Sequence, residues 1–468
     1  MNGMSELSGA VQMSLVNDDV TAERLRNFTE ISSAPIYQRL DELQQQYRFR
    51  DESRLFADLV NTSTVHSRAF HRWARYREGY SPLLVEELIR RSSLDLSRHY
   101  VMDPMCGSGT TVVAANEMGV DALGCDVNPY AVDLTNAKAY HYSEPDLKQL
   151  DDFVLSLTKR GERYQLQFEH EIEKYFPADN LASLLVIRRA IDELSSTAGI
   201  ALAKMAWLSV LEDCSNRKKD GNGLATVPCR VTDVHSLFVA KLKTFISDVK
   251  SHRLHGSLRG EAVECSALSC DLAAKSFDIA SGKRAAAVIF SPPYANSFDY
   301  FESYKLELLL GEYCNSESLV TKRANAVRNY RICYGYELQS DFGLVEMTCA
   351  EILSAIPEKE EITGQRDART RIVPNLLRGY FDDMYKVLGA IFRSLVDGGR
   401  CFIVVDQSAY VGVIVATDLI LAALGERAGF EVELISRCRR ANTSGQQLKR
   451  FPYLRDYLRE SIVTLRKA

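Results

Sequence analysis

The sequence predicts an α/β protein built on a doubly wound, mostly parallel sheet of seven strands, interrupted by a helical insertion and a mixed insertion. Three observations carry this. Short apolar strands alternate with helical patterns between residues 99 and 139. A glycine-rich turn joins the first of those strands to its helix. A second block of strands and helices resumes after residue 260 and runs to the end of the chain.

The elements follow in order. Ser81-Pro82, followed by Leu83, Leu84, Leu88 and Ile89, reads as a capped helix start with an apolar face. His99 to Asp103 is a short strand, 110–118 a helix, Ala122 to Cys125 a second strand ending in Asp126, and 129–139 a second helix. From Glu144 to Leu254 apolar residues recur at helical spacing, as in Leu181, Leu184, Leu185, Ile187 and Ile191, so this stretch is a helical insertion. Ser215 to Gly221 reads as a basic polar loop within it. Strands resume at Ala262 to Cys265 and Ala286 to Phe290. The residues from Ala295 to Leu310 read as one helix, with Phe298, Tyr300 and Tyr304 on it. Helix 380–395 leads through Gly398-Gly399 to strand Cys401 to Val405. Helix 412–428 leads to strand Glu431 to Ile435, and Ser461 to Leu465 closes the sheet.

The expected organisation is an N-terminal segment 1–60, a main α/β domain in three parts (61–143, 259–312 and 376–468), the helical insertion 144–258, and a mixed polar segment 313–375.

Composition narrows the class. The 468 residues are 46% hydrophobic and 25% charged, as in an ordinary globular protein. A net charge of −5, from 57 Lys plus Arg against 62 Asp plus Glu, excludes a globally basic protein but leaves room for a local basic face. Eleven cysteines without a CxxC pair argue against a disulfide framework or zinc ribbon and for reduced thiols in a cytoplasmic protein. Met1 to Asp19 carries no secretory pattern. The most apolar long stretch, Ala409 to Gly425, contains Asp418 and reads as a buried helix rather than a membrane span.

Two constellations carry chemistry. Asp103-Pro104-Met105-Cys106-Gly107-Ser108-Gly109-Thr110-Thr111 lies between a strand and a helix. Its glycines let the backbone turn tightly and approach a ligand, and the helix behind it offers free amides. Asp126, at the end of the next strand, is placed to accept from ribose hydroxyls. A nucleoside cofactor follows, with spacing unlike that of nicotinamide sites. The second constellation, Ser291-Pro292-Pro293-Tyr294, ends an apolar strand. Two prolines make the loop rigid. A serine hydroxyl and a proline carbonyl accept from an exocyclic amino group, and a tyrosine offers a stacking face.

These motifs resemble those of the S-adenosylmethionine-dependent amino methyltransferases of DNA. DPMCGSGTT is similar to the family's DPFxGSGTT cofactor loop, with Met105 in place of Phe, and SPPY resembles the catalytic tetrapeptide in its usual cytosine-N4 form. Arg72 to Pro82 resembles the segment that flanks the methionine end of the cofactor. The resemblance covers about half the chain, roughly 70–140, 260–310 and 380–468, and its order places the cofactor loop before SPPY.

The resemblance implies a Rossmann-like methyltransferase sheet and S-adenosyl-L-methionine as cofactor. The implied cofactor-binding residues are Tyr80, Ser81, Asp103, Met105, Cys106, Gly107, Gly109, Thr110, Thr111, Asp126, Asn128 and Asp271. The implied catalytic residues are Ser291, Pro292, Pro293 and Tyr294, with no metal. The family's acidic residue after the third strand is matched by Ser266 or by Asp271. The implied reaction is methylation of cytosine N4 in duplex DNA, on a flipped base, within a restriction–modification or related defence system, with a cognate endonuclease acting separately. Adenine N6 in DNA, an RNA or protein target, and an inactive binding subunit are the alternatives. The resemblance makes 61–143, 259–312 and 376–468 the catalytic domain, with the segment 313–375 and the helical insertion as the two candidates for target recognition. Candidate DNA contacts are Arg217 to Lys219, Lys322-Arg323 with Arg328 and Arg331, Arg366 to Arg371, Arg437 to Arg440 with Lys449-Arg450, and the polar loop 442–447.

Overall fold

Twelve strands and the helices between them were located in a computed structural model, which describes residues 35–60, 68–76, 79–92, 95, 97–157, 170–220, 223–252, 259–295, 299–329, 331–333, 343–441, 448–449 and 451–468. The strands are β1 (Phe49–Asp51), β2 (His99–Asp103), β3 (Ala122–Asp126), β4 (Arg217–Asp220), β5 (Gly223–Thr226), β6 (Gly260–Glu264), β7 (Arg284–Phe290), β8 (Leu395–Asp406), β9 (Ser408–Tyr410), β10 (Val413–Val415), β11 (Phe430–Arg440) and β12 (Arg459–Lys467). Eight of them form the central sheet, in the order β1-β11-β12-β8-β7-β2-β3-β6. Every neighbouring pair is parallel except the two that involve β12.

The principal helices are α1 (Pro35–Gln46), α2 (Pro82–Arg91), α3 (Thr110–Glu117), α4 (Pro129–Ala139), α5 (Glu144–Leu157), α6 (Ala178–Asp192), α7 (Thr197–Leu208), α8 (Val234–Ser251), α9 (Cys270–Ser281), α10 (Lys305–Leu310), α11 (Ser316–Arg323), α12 (Gly343–Thr363), α13 (Val373–Ser394) and α14 (Thr417–Arg427).

Strand alternation divides the core between two faces. Met102, Leu123, Cys125, Val288, Phe290, Cys401 and Ile403 pack with α9, α12, α13 and α14. Val101, Ala122, Ala287, Ile289, Phe402 and Val404 point the other way, onto α2 and α3. Central strands covered on both faces read as continuous apolar runs, which is why β7 is Ala-Ala-Ala-Val-Ile-Phe after its first residue.

The helical insertion has a core of its own. Helices α5 to α8 pack together and close on α4 and α10, with Trp207 fully buried and its indole N–H donating to the Leu184 carbonyl at 2.8 Å. The segment before α2 is fastened to the insertion through Asp248 on α8. Trp73 stacks on Phe245 with ring centroids 4.1 Å apart, and its Nε1 donates to Asp248 at 3.0 Å, as does Arg72 Nε at 3.1 Å.

Four sequence expectations change. The sheet has eight strands rather than seven, because Phe49–Asp51 pairs in parallel with Ile435 to Arg437 at the edge; backbone pairing alone recruits this charged three-residue strand, so no alternation marks it. The apolar stretch 409–425 is not one helix, and helix 412–428 begins only at Thr417. Tyr410 pairs with Val413 across a two-residue turn, Val411-Gly412, with φ of 46° and 82°. Two positive φ values close a tight hairpin, and the β-branched run that follows suits a strand. The basic loop 215–221 contributes β4 to a second hairpin, β4–β5. The helix expected over 295–310 is, in its described part, a short turn at Tyr300–Ser303 followed by α10, capped by Asp299 and broken at Tyr304. Phe298 lies outside the described residues. Among the described residues no helix is long and apolar enough to cross a membrane.

Candidate functional site

The carboxyl ends of β2, β3, β6 and β7 open on one side of the sheet, where doubly wound folds bind ligands. β2 ends in Asp103, which is buried and receives three donors. The Met105 amide reaches Oδ1 at 3.0 Å, and the hydroxyls of Thr111 and Tyr80 reach Oδ2 at 2.7 and 3.1 Å. Burial outweighs these bonds and pushes the Asp103 carboxyl up to about 7.

The chain then turns through Gly107 and Gly109, with φ of 49° and 80°, and enters α3. A side chain at Gly109 would meet Thr135 within 2.5 Å, so this position needs glycine for both its conformation and its space. Lys138 on α4 buries its ammonium under the turn and donates to the Ser108 carbonyl at 2.6 Å; burial pulls it down to about 7.

β3 ends in Asp126. Its Oδ2 accepts from the Gly107 amide at 2.8 Å and its Oδ1 from the Asn128 amide at 2.8 Å. Burial raises this carboxyl to about 6. Asn128 caps α4 through its own side chain. β7 delivers Ser291 and the two prolines to the same edge.

These elements enclose one cavity. Of the residues expected from sequence, Tyr80, Asp103, Met105, Cys106, Gly107, Thr110, Asp126, Asn128, Ser291 and Pro293 line it. Gly109 and Thr111 stand behind the wall and shape it: the first by its φ, the second by its bond to Asp103. Ser81 is set apart as the N-cap of α2, accepting from the Leu83 amide. Pro292 is buried and Tyr294 half-buried, both outside the wall.

Neither candidate for the third-strand acid reaches the cavity. Asp271, in the first turn of α9, pairs with Arg393 at 2.8 Å. The Ser266 hydroxyl donates instead to the Asn325 carbonyl at 2.8 Å. Sequence reasoning passed over Val127, Cys265, Ala267, Phe301 and, from the loop after α11, Asn325, Ala326, Val327 and Asn329, which also line the cavity. The loop residues arrive from 313–375, and no local pattern marks a residue brought in by tertiary packing.

Most of the basic candidates for DNA contact are already paired. Arg323 bonds Asp299 at 3.1 Å from a buried position, and Arg328 grips Asp382 and Asp383 on α13. Lys322 pairs with Glu264 and Arg371 with Glu360. Lys219 is buried and pairs with Glu307 on α10, its ammonium 4.4 Å from the Tyr304 ring centroid. Tyr304 in turn stacks on Tyr76, 4.7 Å between centroids, and Tyr76 lies over Gly107 and lines the cavity. The insertion hairpin is thereby coupled through packed side chains to the glycine turn. Arg331, about half exposed, bonds Asp299 at 3.0 Å. Arg450 and the loop 442–447 lie outside the described residues.

A sheet of this order, with a glycine turn after β2 and an acid at the end of β3, is an α/β methyltransferase fold. Residues 26–137 match a family model described as DNA methylase, of the N6 and N4 amino-methylating kind. The type II methyltransferase M.BsoBI of Geobacillus stearothermophilus is 25% identical over 95% of this chain and 94% of its own length. The type II methyltransferase M.AvaI of Nostoc sp. is 25% identical over 83% of the chain and 85% of its own length. The type II methyltransferase M.MjaII of Methanocaldococcus jannaschii is 26% identical over 30% of the chain. The chain is thus similar to DNA methyltransferases of the N6/N4 kind, through residues 26–137 to the family model and over most of its length to type II enzymes.

Proposed function

We propose that this protein is a type II modification enzyme that methylates the N4 amino group of cytosine in duplex DNA, with S-adenosyl-L-methionine as donor and a separate cognate endonuclease as its counterpart in restriction. The observation that carries this reading is one cavity walled both by Asp103 to Ser108 with Thr110 and by Ser291 and Pro293. A methyl donor held against the first is within reach of an amino group held against the second.

The residues fit such a donor. The amides at the start of α3 suit an amino-acid carboxylate. Tyr80 and Met105 offer apolar surface beside it, and Asp126 accepts from a ribose diol. Bound there, the cofactor supplies an electrophilic methyl group.

The protein's own part is positioning. The Ser291 hydroxyl and the Pro292 carbonyl accept the two amino protons of the flipped base and keep the nitrogen lone pair directed into the cavity. Tyr294 supplies a stacking face that offsets part of the few kcal/mol that extruding the base costs. A serine at the head of the tetrapeptide is the usual cytosine form of the motif. Sharing near full length with two type II enzymes supports a restriction–modification setting.

Expression in a host free of DNA methylation, followed by nucleoside mass spectrometry of its genomic DNA, tests this. N4-methylcytosine is expected, and it disappears in Ser291→Ala and in Tyr294→Ala. N6-methyladenine would overturn the base assignment. Neither mark, from a well-expressed protein, would turn the reading toward RNA or protein targets.

A further inference from the structure

The polar groups at the end of β6 are already engaged. Glu264 pairs with Lys322, Asp271 with Arg393, and Ser266 donates to a backbone carbonyl. The cavity wall there consists of Cys265 and Ala267 on the strand side and Asn325, Ala326, Val327 and Asn329 on the side of the loop that follows α11. β6 is the next strand out from β3, whose terminal Asp126 marks the ribose position. The purine of a nucleoside cofactor with its ribose on Asp126 would therefore lie between Asp126 and this wall.

We propose that the loop after α11 supplies the purine-recognition edge of the site, with the carboxamides of Asn325 and Asn329 reading the adenine, in place of an acid at the end of the third strand. This rests on the reading of the cavity as the S-adenosylmethionine site.

A carboxamide presents an acceptor and a donor side by side. Adenine presents the complementary pair, an exocyclic amino donor beside a ring-nitrogen acceptor, so one Asn satisfies both. A carboxylate satisfies only the amino group.

The loop is held firmly enough to do this. The Asn325 carbonyl receives the Ser266 hydroxyl at 2.8 Å. Arg328 binds Asp383 through both its backbone amide, at 2.8 Å, and its Nε, at 3.0 Å, and reaches Asp382 at 2.8 Å through a second guanidinium nitrogen. Asn329 Oδ1 accepts from the Arg331 amide at 3.0 Å, which fixes the carboxamide and leaves its amino group as the donor. Arg328 is a positioning residue in this scheme, and the two asparagines make the contact.

The test is a ligand-by-variant cycle read by calorimetry, without turnover. S-adenosylhomocysteine is compared with the analogue whose 6-amino group is replaced by hydrogen, on the full chain and on Asn325→Ala, Asn329→Ala and the double variant. Wild type should bind the adenine ligand roughly tenfold more tightly than the deaminated one, the worth of one net hydrogen bond of about 1.4 kcal/mol. The double variant should bind both alike. Asn325→Asp, which keeps an acceptor for the amino group, should retain discrimination. Equal discrimination in wild type and double variant overturns the proposal, as does a wild type that binds both ligands equally. A wild type that binds neither ligand overturns the cofactor reading itself. If the double variant fails to fold by thermal melting, Asn325→Ala, at an exposed loop position, carries the same comparison.

Discussion

The Gly107 amide donates to Asp126 Oδ2 at 2.8 Å, so the turn after β2 and the end of β3 are one hydrogen-bonded unit. The bond links two residues 19 positions apart and sets the glycine turn against the carboxylate proposed to hold the ribose. It also places a carboxyl, raised to about 6 by burial, where a ligand must displace or share its donors.

A pH dependence follows from that placement. Asp126 is neutral below about 6 and ionised above it. Ribose hydroxyls bond more strongly to the ionised carboxylate than to the neutral carboxyl, so affinity for S-adenosylhomocysteine should rise between pH 5 and 7.5. In Asp126→Asn that part of the rise should vanish. The stability of the unliganded protein should move the opposite way. A folded-state value above the unfolded one contributes stability that is fully present below pH ~4 and lost as pH rises through about 6. Calorimetric titration and chemical denaturation at several pH values read the two trends.

Gly109 and Gly119 both sit at φ 80°, but only Gly109 has a neighbour, Thr135, in the way of a Cβ; nothing lies within 4 Å at Gly119. Gly119→Ala should therefore cost only the strain of the left-handed backbone, about 1–2 kcal/mol. Gly109→Ala should cost about 2–4 kcal/mol, since packing must also give way, and should weaken cofactor binding. Urea denaturation of the two variants side by side separates strain from space.

Lys219 and Glu307 bury opposite charges between the insertion and α10. Lys219→Met leaves a buried carboxylate alone and should destabilise the protein by about 3–5 kcal/mol, whereas Lys219→Met with Glu307→Leu should recover most of that loss. A double variant no better than the single would show that the pair does more than neutralise itself.

The Tyr80 hydroxyl reaches both Asp103 and Thr111. Tyr80→Phe should cost about 1–3 kcal/mol. Losing a donor raises Asp103 further above its present value of about 7. By the linkage argument above, the deficit should therefore grow from pH 5 to pH 8. A deficit independent of pH would place the hydroxyl's main bond elsewhere.

Local sequence determined much of this molecule. Strand runs such as Ala285 to Phe290, the capped start Ser81-Pro82, and the glycine turn between β2 and α3 are legible because each meets its requirement within a few residues: alternation or burial for a strand, a side-chain acceptor for a helix start, positive φ for a tight turn. The same locality made Asp103, Gly107, Asp126 and Ser291 visible as a candidate site. Tertiary structure decided the rest. Whether Ser266, Asp271 or a residue some sixty positions later faces the cavity depends on which side chains find partners elsewhere, as Asp271 finds Arg393 and Ser266 finds the Asn325 carbonyl. Whether Arg328 meets solvent or two aspartates depends on α13. The edge strand β1 exists because β11 offers unpaired backbone. Periodicity and turn chemistry are short-range and written in neighbouring residues. Ion pairing, burial and edge pairing are contacts across the chain, and only the folded arrangement specifies them.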